Sequence, residues 1–259
     1  MPMPSNSNSI PPTSFKAIIS RAWPIILANS ASPLLGLTDT AVIGRTGTEV
    51  SLGAIALGSL IFSFVYWTFG FLRMGTTGLV AQANGSEDEI EVQATLARAA
   101  LMGCAIGLLL ILAQVPIFKL ALSILSGSQA VESVAGTYME LRIWGAPATL
   151  ANYALLGALI GLGHSRTLLV IQIVLNSINI LLDVLFAGYL GMGVAGIALG
   201  TMIAEWSAGI LSFILILRIL RKRHSGETPF WPWDHIRDRD DWDAPCLSNW
   251  TSWSGPSVY

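Results

Sequence analysis

The sequence contains few charged residues. Asp, Glu, Lys and Arg make up 12% of its 259 residues, whereas an average soluble domain has about 25%. Hydrophobic residues make up 53%, and the mean hydropathy is +0.63. Because the apolar residues also occur in long blocks, we interpret the chain as an integral membrane protein of the all-α class.

Residues that build metal sites and disulfide frameworks are also scarce. Two cysteines, Cys104 and Cys246, and three histidines are present, and none has metal-ligand spacing. A glycine-rich stretch at 191–196 lies between two apolar segments, which argues against a nucleotide-binding loop. We expect no enzyme, and no cofactor, metal centre or nucleic-acid partner.

Six apolar segments are long enough to cross a bilayer core of about 30 Å as helices. They are Phe15–Ile43, Leu52–Ala81, Leu96–Leu122, Val134–Leu162, Leu168–Leu190 and Val194–Leu220. We therefore predict a bundle over residues 15–223, after a disordered tail at 1–14 and before a cytoplasmic tail at 224–259. Bends are expected at the prolines and glycines inside the spans, namely Pro24, Pro33, Gly70, Gly75 and Pro147.

Basic residues are concentrated on one side of the predicted bundle. Lys16 and Arg21 open the first span, and four basic residues within 218–223 close the sixth. The opposite side has only Arg45 and Lys119 near its loops. Since Lys and Arg favour the cytoplasmic side, both termini are predicted to be cytoplasmic.

A polar stripe follows one face of the fifth span. Gln172, Asn176, Asn179 and Asp183 are spaced by four, three and four residues, so they fall on one side of a helix. A carboxylate inside a membrane costs on the order of a few kcal/mol, and such groups usually face a cavity or an ion path. The stripe therefore predicts a site for a cation or a proton.

Asp39 is a second carboxylate, located late in the first span. Asn29, Ser32 and Gly36 precede it by ten, seven and three residues and share its helix face. Burial disfavours a charged carboxylate and amide donors favour it, so Asp39 and Asp183 are suited to load and release a proton. The alternative is that Asp39 lies at the outer end of the span, exposed to solvent.

Other polar residues in the spans give weaker signals. Thr201 precedes Glu205 by four residues, and it either reaches the Asp183 cluster or bonds a carbonyl of its own helix. Glu140 and Arg142, two residues apart, point to different sides and are expected near the outer end of span four, in solvent.

Two arginines have alternative interpretations. Arg142 shares a helix face with Tyr138, Gly145 and Thr149, so these residues are also candidates for lining the cavity. Arg73 lies toward the cytoplasmic end of span two, where its side chain can reach the lipid headgroups.

Taken together, these features resemble the amino-terminal half of the MATE (multidrug and toxic compound extrusion) transporters, in particular their DinF-like bacterial branch. The similarity extends from about Phe15 to Arg223. In span one it rests on Trp23-Pro24-Ile25, Leu37-Thr38-Asp39-Thr40, Gly44 and Gly47. In spans five and six it rests on the polar stripe and on the stretch from Gly193 to Thr201.

The resemblance implies one six-helix lobe of an antiporter in the bacterial cytoplasmic membrane. Such a protein exports organic, drug-like cations and is driven by H⁺ or Na⁺. The implied coupling site consists of Asp39, Asn179, Asp183 and Thr201, and Na⁺ would bind to Asp39, Asp183 and Asn179.

The resemblance also implies accessory roles. Tyr138 would lie beside the coupling site, and Gln172 and Asn176 would line its cavity. Pro24 would act as a hinge that lets span one bend when the acids change protonation.

Family members have two such lobes, and this chain matches one. Residues 233–239 resemble the cytoplasmic linker between lobes, and the similarity ends near Trp242. We expect a truncation or frameshift close to Asp241–Ala244 and a missing second lobe. A non-transporting remnant, a homodimer of half-transporters and a lipid flippase of related architecture are the alternatives; the acidic character of the buried charges favours cations over anionic lipids.

Resequencing the DNA from the codon of Trp231 onward tests the expected frameshift. Six further spans in another reading frame would confirm it. Their absence would make the oligomeric state of this chain the deciding question.

Overall fold

The computed structural model describes residues 15–125 and 127–223. The predicted tails at 1–14 and 224–259, with the linker-like stretch, lie outside the described residues. The side chains of Lys16, Arg21, Asn29 and Ser32 also lie outside the described part, although the helix that carries them is included.

Regular structure in the described ranges is helical, which confirms the all-α prediction. The helices are α1 (Phe15–Thr46), α2 (Glu49–Thr68), α3 (Phe71–Gly85), α4 (Glu89–Leu112), α5 (Gln114–Leu125), α6 (Gln129–Arg142), α7 (Ala146–Gly161), α8 (Ser165–Asp183) and α9 (Gly193–Arg223). A 3₁₀ turn, Ile143–Gly145, joins α6 to α7, and a π-helical turn, Val184–Tyr189, follows α8.

Five helical stretches in the described ranges are long and apolar enough to cross a membrane. They are Glu49–Gly85, Glu89–Leu112, Gln129–Gly161, Ser165–Tyr189 and Gly193–Arg223. The remaining predicted span corresponds to α1, which has 32 residues. The chain is therefore a multi-pass membrane protein.

Helix ends differ from the predicted span ends because polar caps extend helices beyond their apolar runs. The third span was predicted from Leu96, but α4 begins at Glu89. The Asp88 carboxylate accepts a hydrogen bond from the Glu91 backbone N–H at 2.9 Å and so satisfies one of the free donors of the first turn. The acids of this connection are therefore part of the helix start.

Several predicted spans are interrupted. Phe69 and Gly70 separate α2 from α3, so the helix is broken at the glycine where a bend was expected. Pro147 lies in the first turn of α7. Backbone N–H groups in the first turn have no partner within the helix, so proline, which lacks this group, is tolerated there. Helix α1 stays helical through Pro24 and Pro33.

Glycines allow α4 and α7 to cross with their backbones in contact. A Cβ atom on Gly103 would lie 2.6 Å from the carbonyl oxygen of Leu150, and one on Gly107 would overlap the backbone of Pro147. Since these glycines are one helical turn apart, they form one continuous contact. Helix α7 is thereby held in the centre of the bundle.

The buried apolar side chains form two clusters, with the polar residues between them. One cluster includes Phe62 and Tyr138 and lies at the end of the bundle where α1 ends. The other includes Val80 and Leu168 and lies at the end where α3 turns into α4. Along α1, α8 and α9, the side chains of Asp39, Asn179, Asp183 and Thr201 lie between residues of the two clusters.

The α4–α7 contact predicts that an added methyl group destabilises the bundle. Gly103→Ala and Gly107→Ala are each expected to lower the free energy of unfolding by about 1–3 kcal/mol, because the new Cβ meets backbone atoms that cannot move aside. Thermal unfolding of the purified protein in detergent measures this loss.

Gly78→Ala in α3 is the matched control, since no atom lies within 4 Å of its added Cβ. It should leave stability unchanged or slightly raised, because Ala favours the helix over Gly. Equal melting temperatures for all three variants would contradict the described crossing.

Candidate cation site

Four polar side chains from α1, α8 and α9 meet between the two apolar clusters. Asp39, Asn179, Asp183 and Thr201 are at most 4% exposed. The Asp39 and Asp183 carboxyl groups lie close enough to interact directly. The alternative that Asp39 faces solvent at the end of its span is therefore wrong.

Thr201 connects α9 to the polar stripe. The Asn179 side-chain amide donates a hydrogen bond to the Thr201 hydroxyl at 3.1 Å. The same hydroxyl donates to the Ile197 carbonyl oxygen of its own helix at 3.0 Å. Both interactions considered for Thr201 therefore occur at the same time, and they fix the orientation of the Asn179 amide.

Several oxygen atoms at this site have no hydrogen-bond donor. Within the described residues, Asp39 Oδ1, Asn179 Oδ1 and both carboxylate oxygens of Asp183 are buried and unpartnered. Buried acceptors left without a donor are costly, and carboxylate and amide oxygens are the ligands that hard cations prefer. A proton shared by the two carboxyl groups, or a bound Na⁺, would satisfy these atoms.

Glycines in α9 bring this helix against the carboxylate. A Cβ atom on Gly200 would lie 2.6 Å from Asp183 Oδ1, and one on Gly196 would lie 2.8 Å from the backbone nitrogen of Ala187. Ala187 belongs to the π-helical turn that directly follows Asp183. Irregular turns of this kind occur often at functional sites.

A cavity of about 330 Å³ adjoins the site. Gln172, Asn176 and Asn179 line it, as the polar stripe predicted, whereas the Asp39 and Asp183 carboxyl groups are not among its lining residues. The stripe thus divides into an amide part that faces the cavity and a carboxylate that packs against α1. The remaining polar lining residues are Arg73, Thr149, Asn152, Tyr153, Thr201 and Glu205.

The structure places the other two predicted accessory residues, Tyr138 and Pro24, at different distances from the site, and neither is among the cavity-lining residues. Tyr138 is fully buried and close enough to Asp39 to interact electrostatically. Pro24 is buried in α1 fifteen residues before Asp39, or about 22 Å along the helix axis. Tyr138 therefore adjoins the carboxyl pair, and Pro24 as a hinge stays a prediction.

Sequence reasoning missed a buried ion pair. Arg142 Nη2 lies 3.7 Å from Glu205 Oε1, and the two side chains are 13% and 10% exposed. Arg142 was expected in solvent together with Glu140; Glu140 is exposed, and Arg142 points inward. The sequence feature that indicated an inward-facing Arg142 was the helix face that it shares with Tyr138.

Arg73 also differs from its expected position. It was expected to reach the headgroups, but its side chain lines the internal cavity. The break at Gly70 explains the difference, because Arg73 lies in the first turn of α3 and not near the end of an unbroken span.

The fold and the site define an α-helical membrane protein with two carboxylates buried between its helices. The sequence model of the MatE family matches residues 24–185, a range that contains both Asp39 and Asp183. The chain belongs to the MatE family, whose members are transporters and not enzymes.

Relatives with curated descriptions agree with this assignment. The chain is 42% identical over 216 residues to DNA damage-inducible protein F of Escherichia coli (strain K12), covering 83% of this chain and 47% of the relative. It is 26% identical over 225 residues to the probable multidrug resistance protein NorM of Acinetobacter baylyi, covering 85% and 49%. The resemblance to the DinF-like branch is thus confirmed.

Solved structures share the fold. A crystal structure of MATE in the bent conformation matches with a TM-score of 0.69 at 25% identity, covering 76% of this chain and 44% of that one. A MOP superfamily transporter from Pyrococcus furiosus Vc1 (DSM3638) matches with a TM-score of 0.71 at 22% identity, covering 78% and 45%. The chain spans about half the length of the curated relatives it matches.

Because α9 lies close to Asp183 at Gly200, a side chain added at Gly200 is expected to destabilise the protein. Gly200→Ala is expected to lower the free energy of unfolding by about 1–3 kcal/mol, because the added methyl group would lie 2.6 Å from Asp183 Oδ1 and 3.3 Å from Leu182 Cβ, so the carboxylate or α8 itself must shift. Thermal unfolding in detergent measures the loss.

Gly209→Ala on the same helix is the matched control, since its nearest neighbour would lie at an ordinary 3.6 Å. In an Asp183→Ala background the cost of Gly200→Ala should shrink. A Gly200→Ala variant as stable as Gly209→Ala would contradict the described packing.

Proposed function

We propose that this chain is the lobe of a multidrug antiporter that couples the export of organic cations to the entry of H⁺ or Na⁺. The observation that carries this proposal is the group of unpartnered, buried oxygen atoms on Asp39, Asn179 and Asp183. Membership of the MatE family and the similarity to a probable multidrug resistance protein support it.

The coupling follows from the proximity of the two carboxyl groups. Two carboxylates side by side repel each other, and burial removes the water that would screen them. One added cation relieves this repulsion, so the loaded and empty states differ in how closely α1 and α8 can pack. The coupling ion at the carboxyl pair can then be exchanged for an organic cation in the adjoining cavity. This exchange requires only that the site is exposed alternately to the two sides of the membrane.

The organic substrate is proposed to be cationic because the buried charges of the lobe are mainly acidic. Around the site and its cavity, three acids, Asp39, Asp183 and Glu205, outnumber the two arginines, Arg142 and Arg73. The amide groups of the cavity, together with Trp67 and Tyr153, offer hydrogen bonds and aromatic faces to a flat cation.

Neutralising the carboxyl pair tests the coupling. Asp39→Asn and Asp183→Asn keep side-chain size and remove charge, so each should reduce proton-driven efflux of a cationic dye to background. The measurement is dye transport in vesicles with an imposed pH or Na⁺ gradient, using a protein in which this lobe is joined to a second six-helix lobe.

Glu140→Gln is the matched control, because Glu140 is an exposed acid of α6 and should be dispensable. Undiminished cation-driven efflux in both aspartate variants would refute the coupling role. Loss of efflux in the glutamate control as well would show that the assay reports folding.

The second lobe is proposed to come either from the rest of a longer chain or from a second copy of this chain. Efflux-deficient cells that express the 259-residue chain alone distinguish these cases. Dye resistance together with a cross-linked dimer would support a homodimer. No gain in resistance would support a chain that needs a further lobe or a remnant that does not transport.

A further inference from the structure

The Arg142–Glu205 pair places a fixed positive charge inside the lobe. The Arg142 guanidinium is held by Glu205 at 3.7 Å and donates a hydrogen bond to the Tyr138 hydroxyl. Its central carbon lies 5.0 Å from the centre of the Phe62 ring and 5.6 Å from that of the Tyr138 ring. Held by an acid, a hydroxyl and two rings, this charge cannot extend to the membrane surface.

The charge lies next to the carboxyl pair. Glu205 follows Thr201 by one helical turn, about 6 Å along α9, and Thr201 bonds Asn179 of the site. Arg142 acts electrostatically on both Asp39 and Asp183. Arg142 interacts electrostatically with titratable groups on six helices, its own included. They are Asp39 of α1, Tyr66 of α2, Tyr138 of α6, Tyr153 of α7, Asp183 of α8 and Glu205 of α9.

Glu205 does not cancel this effect. Its own partner is Arg142, and one of its oxygens, Oε2, lies against Gly145, where a Cβ atom would overlap it. Arg142 acts electrostatically on both Asp39 and Asp183, whereas Glu205 is not among the groups that act on either aspartate. The carboxyl pair therefore experiences mainly the positive end of the ion pair.

A fixed positive charge raises the free energy of every cation in the site by a similar amount. A proton forms an O–H bond and binds a desolvated carboxylate strongly, so it tolerates this penalty at ordinary pH. Na⁺ gains only coordination by the same few oxygens after losing its water, so its weaker binding is lost first.

We propose that Arg142 is a positioning residue whose fixed charge weakens Na⁺ binding at the Asp39–Asp183 pair so far that the more strongly bound proton is left as the coupling ion. This inference rests on the proposed cation coupling and names its ion. Arg142 needs no contact with the ion, because its charge acts on the site through space.

Direct binding of ²²Na⁺ to the purified 259-residue chain in detergent tests the proposal. At alkaline pH, where protons compete least, Arg142→Gln should bind Na⁺ at least tenfold more tightly than the wild type. Arg142→Lys should behave like the wild type, because it retains the charge. Lys119→Gln is the control for charge loss elsewhere, since Lys119 is exposed.

A double variant keeps the test informative if Arg142→Gln alone fails to fold. Arg142→Gln leaves Glu205 buried without its partner, whereas Arg142→Gln/Glu205→Gln replaces the whole pair with neutral side chains. Both should gain Na⁺ binding, and an added Asp39→Asn should abolish the gain. Wild-type Na⁺ affinity in a folded double variant would overturn the proposal.

Proton uptake by the same preparations separates this inference from the proposed function. If the wild type takes up protons in an Asp39-dependent way and Arg142→Gln gains no Na⁺ binding, only the selectivity role of Arg142 is wrong. If Asp39→Asn changes neither proton uptake nor Na⁺ binding in any background, the coupling site itself is wrong and the inference is overturned with it.

Discussion

Two carboxyl groups, those of Asp39 and Asp183, lie together inside the bundle, and three of their four oxygens are buried without a donor from the described residues. Such a pair is unstable when both groups are charged, because mutual repulsion adds to the cost of burial. The surrounding contacts keep the two carboxyl groups together despite this repulsion and burial. Gly200 lets α9 lie against Asp183, and the bond between Thr201 and Asn179 orients the neighbouring amide. A site kept in this way binds a single positive charge readily, which is the property a coupled transporter needs.

The rest of the bundle keeps this polar level rigid. Apolar clusters close both ends, and the glycine contact between α4 and α7 fixes the central helix whose residues line the cavity. The helix breaks near Gly70 and Pro147 adjoin the cavity, which Gly70 and Thr149 both line, so two spans offer irregular backbone near the polar side chains. Irregular backbone inside a membrane is tolerated where it is buried in protein or lines a cavity.

The grouping of Asp183 with Asp39 in one site was implied by the resemblance to the MATE transporters. Helical periodicity was sufficient to predict the amide stripe, its face and the two acids as separate candidates, because a polar group in an apolar span has few stable positions. Thr201 was found for the same reason. Arg142 was placed wrongly because its partner, Glu205, is 63 residues away in the sequence, and local spacing cannot show which helix faces α6. Arg73 was placed wrongly because it follows the helix break at Gly70. The direction of its side chain after that break depends on how α3 packs against other helices, which local sequence does not show.

Difference infrared spectroscopy of the purified chain between acidic and alkaline buffer tests the central claim most directly, because protonated carboxyl groups have a carbonyl band of their own. We predict a titrating band from a buried carboxyl group that Asp39→Asn and Asp183→Asn each remove or shift, because the two groups would share one proton, while Glu140→Gln leaves the band unchanged. A difference spectrum identical in the wild type and both aspartate variants would contradict the account.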